Sequence, residues 1–187
     1  MKKITLSVSG DRGSFSEEAG RSYAERIGAE PELSFAIDME GVLSELDSGT
    51  CEFGIFPVVN STGGLVRSAF DAMGRHSFTV IDEVPFDVHQ CLMALHGTDI
   101  IHITHIVSHP QGLAQCKQYL AKNFEGILLV EWEDTAKAAK DLSEGKLPKT
   151  SAVVAPAASA ALYNLTLLAK DIQDVNPNIT TFIVVKK

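Results

Sequence analysis

Short apolar runs alternate along the whole chain with stretches in which apolar positions recur every three or four residues, the pattern of an α/β protein. Residues 4–9 read as the first strand. It runs into Gly10, Asp11, Arg12 and Gly13, after which Ser14 and Glu17 stand three apart as a capping box. Ala19, Tyr23 and Ile27 mark the inward face of the helix that follows, and Gly28 stops it. Asp38 predicts the N-cap of a second helix with Val42, Leu43 and Leu46 inward and Gly49 past its end, followed by a buried strand at 53–58. A polar loop over residues 60–64 opens a third helix carried by Leu65, Val66, Phe70 and Met73.

The pattern restarts near Phe78, with strands at 78–84, 88–95 and 103–107. Pro110 opens a helix with Leu113, Cys116 and Leu120 inward, Gly126 precedes a strand at 127–132, and Asp134 caps a helix that uses Ala136, Ala139 and Leu142. A buried strand at 151–155, a helix at 157–163, a segment at 165–172, a polar turn around Pro177 and a strand at 181–185 complete the chain. The restart predicts a second lobe of about residues 79–156, inserted into a first lobe of about residues 1–78 plus 157–187. Two such lobes leave a cleft, and ligands of open α/β sheets bind beyond the carboxyl ends of strands.

Composition then narrows the function. A chain of 187 residues, 45% hydrophobic and 21% charged, can bury a real core and is not a disordered or fibrous sequence. Sixteen Lys and Arg against 24 Asp and Glu give a net charge of −8, which argues against bulk attraction to nucleic acid or to an anionic membrane. Small molecules or proteins remain as partners. Neither a bilayer-spanning run nor a signal peptide is read, so a cytoplasmic location is expected. Cys51, Cys91 and Cys116 are odd in number and widely spaced, and read as reduced, packed thiols.

Four segments carry candidate chemistry. The loop GDRG opens a helix, so its backbone N–H groups suit an anion. PVVNSTGGLV repeats the strand, polar loop and helix start with an amide and two hydroxyls. SHPQGLAQC opens a later helix, and NITTF leads into the final strand. Each alone reads as ordinary turn or helix-start chemistry. Together, in order and interval, they resemble the motifs of the prephenate dehydratase family: GDRGSFSEEA is similar to the family's GPxGTFSEEA, PVVNSTGGLV to PxENSxxGxV, SHPQGLAQC to SHPQALAQC, and NITTF to NxTRF. The resemblance covers essentially the whole chain.

It implies a two-lobed clamshell resembling type II periplasmic binding proteins. It also implies the loss of water and carbon dioxide from prephenate to give phenylpyruvate, on the way to phenylalanine, with no metal or organic cofactor. The resemblance places the hydroxyl that protonates the leaving group at Thr180. Arg12, Gly13, Ser14, Asn60, Ser61 and Thr62 are then expected to hold substrate carboxylates, with Ser108, Gln111, Thr181 and Phe182 as further substrate-binding positions. A homodimer is expected by the same analogy. Because the chain ends with the last strand of the catalytic fold, no C-terminal ACT domain and no phenylalanine feedback through one are expected.

The sequence departs from the family at two charged positions. Thr181 stands where the arginine of TRF is expected, and Val59 where the glutamate of ENS is expected. A guanidinium fork holds a carboxylate through two charge-assisted hydrogen bonds, which a threonine hydroxyl does not replace. Asp11 replaces the proline of the first motif, and Ser14 its threonine. Three readings follow: a dehydratase in which Arg12, with Arg67 behind it, supplies the cation; a divergent paralogue such as a prephenate decarboxylase, which lacks the TRF triplet; or a non-catalytic clamshell that binds a small ligand or a partner enzyme.

Other candidates read as structural. His102 and His105 are expected on opposite faces of a strand and His109 belongs to the SHPQ motif, so no metal site is predicted. Cys116 reads as core, Trp132 as packing, and residues 137–149 as a solvated helix and turn.

Overall fold

A computed structural model describes residues 2–187, which divide into two compact units. The first comprises the residues up to Asp11 together with Phe15–Asp87 and Ile179–Lys187, and the second comprises Arg12–Ser14 and Val88–Asn178.

The first unit contains β1 (Lys2–Ser9), α1 (Phe15–Arg26), β2 (Ala29–Ala36), α2 (Met39–Asp47), β3 (Phe53–Asn60), β4 (Gly64–Leu65), α3 (Arg67–Met73), β5 (Thr79–Asp87) and the last strand of the chain, β11 (Ile179–Lys186). Its sheet runs β2-β1-β3-β11-β5, with β4 pairing β3. Strands β1, β2 and β3 are parallel, and β11 is antiparallel to both β3 and β5. Tyr23 and Ala24 of α1 pack on Ile4, Leu6 and Val8, while α2 and α3 pack with Phe56, Ile183 and Val185 in a separate apolar cluster. Asp38 caps α2 as expected, accepting from Gly41 N at 2.8 Å, and Val42, Leu43 and Leu46 are buried.

Several elements differ from the sequence reading. Strand β2 is absent from it because Glu30, Pro31 and Glu32 interrupt the apolar pattern. Proline is tolerated at a sheet edge, and Ala29, Leu33 and Phe35 still join the core. Helix α1 ends at Arg26, which leaves Ile27 exposed. The third helix starts only at Arg67; Leu65 lies in β4 and Phe70 faces solvent, while Ala69 and Ala72 make the core contact. Strand β5 pairs β11 from Asp87 opposite Ile179 to Thr79 opposite Lys186. The chain therefore leaves the first unit after residue 87, not near 78.

Beyond α3, His76 is clamped between two carboxylates of α2, with Nδ1 2.6 Å from Asp47 and Nε2 2.9 Å from Glu40. Arg75 also bonds Glu40, and Lys187 pairs with Asp47. Hydrogen bonds to Asp47 and then Glu40 raise the His76 pKa above its ordinary 6.5. A raised folded pKa stabilises fully below the unfolded value, and the contribution is lost as pH rises through the folded value. Hydrogen bonds lower the pKa of both carboxylates, led by Arg75 for Glu40 and Lys187 for Asp47. Their contribution stands above the unfolded carboxyl range and is lost as pH falls through the lowered values. The melting-temperature advantage of the wild type over His76→Gln is thus expected to be largest near pH 6 and to shrink toward pH 9. A gap independent of pH over that range would contradict the clamp.

The second unit contains β6 (Gln90–Leu95), a short 3-10 turn (Ile100–His102), β7 (His105–Ser108), α4 (Pro110–Gln115), α5 (Lys117–Asn123), β8 (Leu128–Glu131), α6 (Thr135–Ser143), β9 (Ser151–Pro156), α7 (Ala157–Leu162) and β10 (Leu165–Ala169). The sheet runs β10-β6-β9-β7-β8. Strand β10 pairs β6, so residues 157–178, expected in the first lobe, belong here. The single helix expected after Pro110 is two, joined at Cys116, although Leu113, Cys116 and Leu120 are all buried as expected.

His102 lies in the 3-10 turn and not on a strand. The 137–149 segment also carries more than a solvated face. Asp141 is buried and accepts from Trp132 Nε1 at 3.0 Å, Lys137 Nζ at 3.0 Å and Lys146 Nζ at 2.8 Å. Among the described residues no helix is long and apolar enough to cross a membrane, and no cluster of three His, Cys, Asp or Glu side chains is placed to hold a metal.

Candidate active site

Strand directions place the candidate motifs. In the first sheet the carboxyl ends of β1 and β3 share an edge with the amino end of the antiparallel β11, so the 60–64 loop and NITTF meet there. In the second sheet the carboxyl ends of β7 and β9 share an edge with the amino end of β6. SHPQ, the start of α7 and Gln90 therefore lie along that edge.

In the first unit, antiparallel pairing sets Asn60 opposite Thr180 and Val59 opposite Thr181. Asn60 is 1% exposed and Thr180 is 7% exposed. Asn60 Nδ2 donates to Thr180 Oγ1 at 2.9 Å and to Ile179 O at 3.3 Å, while its Oδ1 accepts from Thr62 N at 2.9 Å and Gly63 N at 2.7 Å. Ser61 completes the junction: its N donates to Ile179 O, and its Oγ accepts from Ile179 N at 3.0 Å. Asn60 is thus a strut between the two motifs rather than an open binding group. Because the amide occupies a lone pair of Thr180 Oγ1, the hydroxyl hydrogen is directed to another acceptor.

Neighbouring residues of a strand face opposite sides, so Thr181 does not share the Thr180 face. Val59 and Thr181, the two positions where the family's charged residues are replaced, are cross-strand neighbours. Phe182 is 2% exposed and meets Phe86 edge-on at 6.4 Å. Its ring belongs to the apolar core with Val84 and Val184.

In the second unit, Gly13 adopts φ +83°, which favours glycine, and a Cβ there would meet Ser159 Oγ at 2.9 Å. The loop is held by its carbonyls. Tyr163 Oη donates to Arg12 O at 2.7 Å and Ser159 Oγ to Gly13 O at 2.9 Å. In a trans peptide the N–H points opposite the C=O, so these bonds turn the Gly13 and Ser14 N–H groups away from α7. Arg12 itself is exposed.

Ser108 is buried, and its hydroxyl donates to Val154 O at 2.6 Å, which joins β7 to β9. His109 Nδ1 accepts from Gln111 N, and burial, partly opposed by Glu131, lowers its pKa, so the ring stays neutral. Gln111 is half-buried at the start of α4. Burial pushes the Cys51 thiol up to about 11 and raises Cys116 further, so neither is an activated thiolate.

One residue of SHPQGLAQC was passed over in the sequence reading. Gln115 is buried, and its Oε1 accepts from Gln90 Nε2 at 2.9 Å and from Asn178 Nδ2 at 3.0 Å. Its position one helical turn after Gln111 was the available signal, but both partners are remote in sequence.

Each unit thus carries polar groups at the carboxyl edge of its own sheet, the place where open α/β sheets bind ligands. Comparison with known proteins makes this specific. The family model described as prephenate dehydratase matches residues 6–187. Arogenate dehydratase/prephenate dehydratase 2 of Arabidopsis thaliana is 33% identical over 99% of this chain, and the chain spans 47% of that relative's length. A crystal structure of prephenate dehydratase with L-Phe from Arthrobacter aurescens superposes with a TM-score of 0.85 at 25% identity, covering 98% of this chain and 60% of that one. A Bacillus subtilis lipoprotein described as methionine-binding shares the fold alone, with a TM-score of 0.52 at 11% identity, covering 100% of this chain and 84% of that one. The chain belongs to the prephenate dehydratase family.

Proposed function

We propose that the chain is a lyase that converts prephenate to phenylpyruvate. The ring carboxylate departs as carbon dioxide, its bonding electrons enter the ring, and the ring hydroxyl leaves and takes up a proton to become water. Aromatisation supplies the driving force, and the protein must hold two carboxylates and assist the departing hydroxyl. The observation that carries this reading is the 2.9 Å hydrogen bond from Asn60 to Thr180. It orients a nearly buried hydroxyl as a donor, the role assigned to it in the leaving step. The N–H groups of Gly13 and Ser14, the Arg12 guanidinium and the Gln115 amide are the donors proposed for the carboxylates, with Ser61 and Thr62 supplying surface hydroxyls. Incubation with prephenate or arogenate, with both aromatic and non-aromatic products followed, tests the reading: an aromatic product at a protein-dependent rate is expected, and its absence with either substrate would contradict it.

A second reading rests on the Val59–Thr181 pair. Loss of both charges from facing positions favours a substrate-binding geometry altered as a unit, as in a paralogue that removes carbon dioxide without aromatising the ring. For the dehydratase, Val59→Glu and Thr181→Arg are expected to act together. A double-mutant cycle on kcat/KM should give a coupling of about 1 kcal/mol, as close cross-strand charges do. Additive effects of the two changes would show that the positions act separately.

A further inference from the structure

Gln90 opens β6 outside every motif of the sequence, and it is 3% exposed. Its Nε2 donates to Gln115 Oε1, its backbone N donates to Gln173 Oε1 at 2.9 Å, and its carbonyl accepts from Ile172 N at 2.9 Å. Its own Oε1 is buried without a partner. An orphaned acceptor costs stability, and native proteins keep few of them.

The polarity of this amide chain can be read from its far end. Val88 O can only accept, and Asn178 Nδ2 lies 3.3 Å from it. Turning the Asn178 amide would set two carbonyl oxygens against each other, so Asn178 presents its NH2. The same NH2 meets Gln115 at 3.0 Å, which fixes Oε1 as the Gln115 atom on that side. Gln90 meets that same oxygen and must therefore donate, which turns its Oε1 into the sealed space where nothing pairs with it. The orphaned acceptor is the consequence of holding Gln115 one way round. With Oε1 taken by two donors, the Gln115 Nε2 hydrogens lie on the other side. Among the described residues no acceptor meets them, and that nitrogen is not among the buried unpaired atoms.

We propose that Gln90 is a positioning residue for the reaction: it locks the Gln115 amide so that its two N–H groups are presented to an oxygen anion of the substrate. The proposal rests on the dehydratase reading, and the test separates the two.

In 15N-labelled protein the Gln115 side-chain NH2 pair is identified by its loss in Gln115→Met. It should exchange quickly with water in the wild type and at least about tenfold more slowly in Gln90→Glu, where the carboxylate draws the amide hydrogens inward. Gln90→Met keeps the size and removes the orphaned acceptor, but it leaves Gln115 Oε1 with the single Asn178 bond, about which the amide can swing away from the substrate. Its melting temperature should equal or exceed the wild-type value while kcat/KM falls about tenfold, which a packing role would not produce. Slow exchange of the Gln115 NH2 in the wild type, or wild-type kcat/KM in folded Gln90→Met, would overturn the proposal. If Gln90→Glu does not fold, these two measurements still decide. A wild type without turnover of prephenate would count against the dehydratase reading alone, because the exchange measurement needs no substrate.

Discussion

Thr180→Val is expected to lower kcat for phenylpyruvate formation by about 10²–10⁴-fold, the range over which a positioned proton donor contributes. The substitution keeps the size and β-branching of the side chain and removes only the hydroxyl. Asn60 Nδ2 retains Ile179 O as an acceptor, so the structural loss is one buried hydrogen bond, worth about 1 kcal/mol. Activity should therefore collapse in a protein that melts within a few degrees of the wild type. Parallel measurement of kcat and melting temperature checks both parts, and retention of wild-type kcat would remove Thr180 from the chemistry.

The second large effect belongs to Asn60. Asn60→Leu leaves Thr180 Oγ1 and the N–H groups of Thr62 and Gly63 without their buried partner, and should cost about 2–4 kcal/mol in denaturant unfolding. Asn60→Asp is the sharper variant. A carboxylate can still accept from Thr62 and Gly63, but it cannot donate to Thr180. It would instead accept a hydrogen bond from the Thr180 hydroxyl, so that hydroxyl would no longer serve the substrate. Asn60→Asp is expected to lose activity nearly as fully as Thr180→Val while unfolding at a higher denaturant concentration than Asn60→Leu. Equal destabilisation by the two variants, or an active Asn60→Asp, would show that the strut does not act through its donor.

What the sequence made legible was local. Asp38 and Asp134 were readable as caps because each needs only a nearby backbone N–H, and both accept one in the structure. The buried runs of β3 and β9 were readable because apolar residues fill consecutive positions. Strand β2 was not, because a proline between two glutamates is compatible with a strand only at an edge, and edges are a property of the sheet. Residues 157–178 show a helix followed by an apolar segment, and nothing in that pattern says which sheet receives them. Pairing of β10 with β6 decides it.

The candidate site divides in the same way. The motifs marked Thr180 and Asn60 one by one, but the bond between them spans 120 residues and depends on the register of β3 with β11. Register also turned the Val59 and Thr181 departures from two separate losses into one facing pair. Gln90 was silent because an amide without charge or glycine beside it has no periodic signature, and Gln115, signalled only by its place one turn after Gln111, meets Gln90 and Asn178 from distant segments.

Product balance tests the central claim most directly. Carbon dioxide and phenylpyruvate are measured together as the protein consumes prephenate near neutral pH, with Thr180→Val in parallel. One phenylpyruvate per carbon dioxide from the wild type, and neither above the uncatalysed background from the variant, is the predicted result. Carbon dioxide released without phenylpyruvate, or a wild-type rate no greater than background, would contradict the assignment of this chain as a dehydratase.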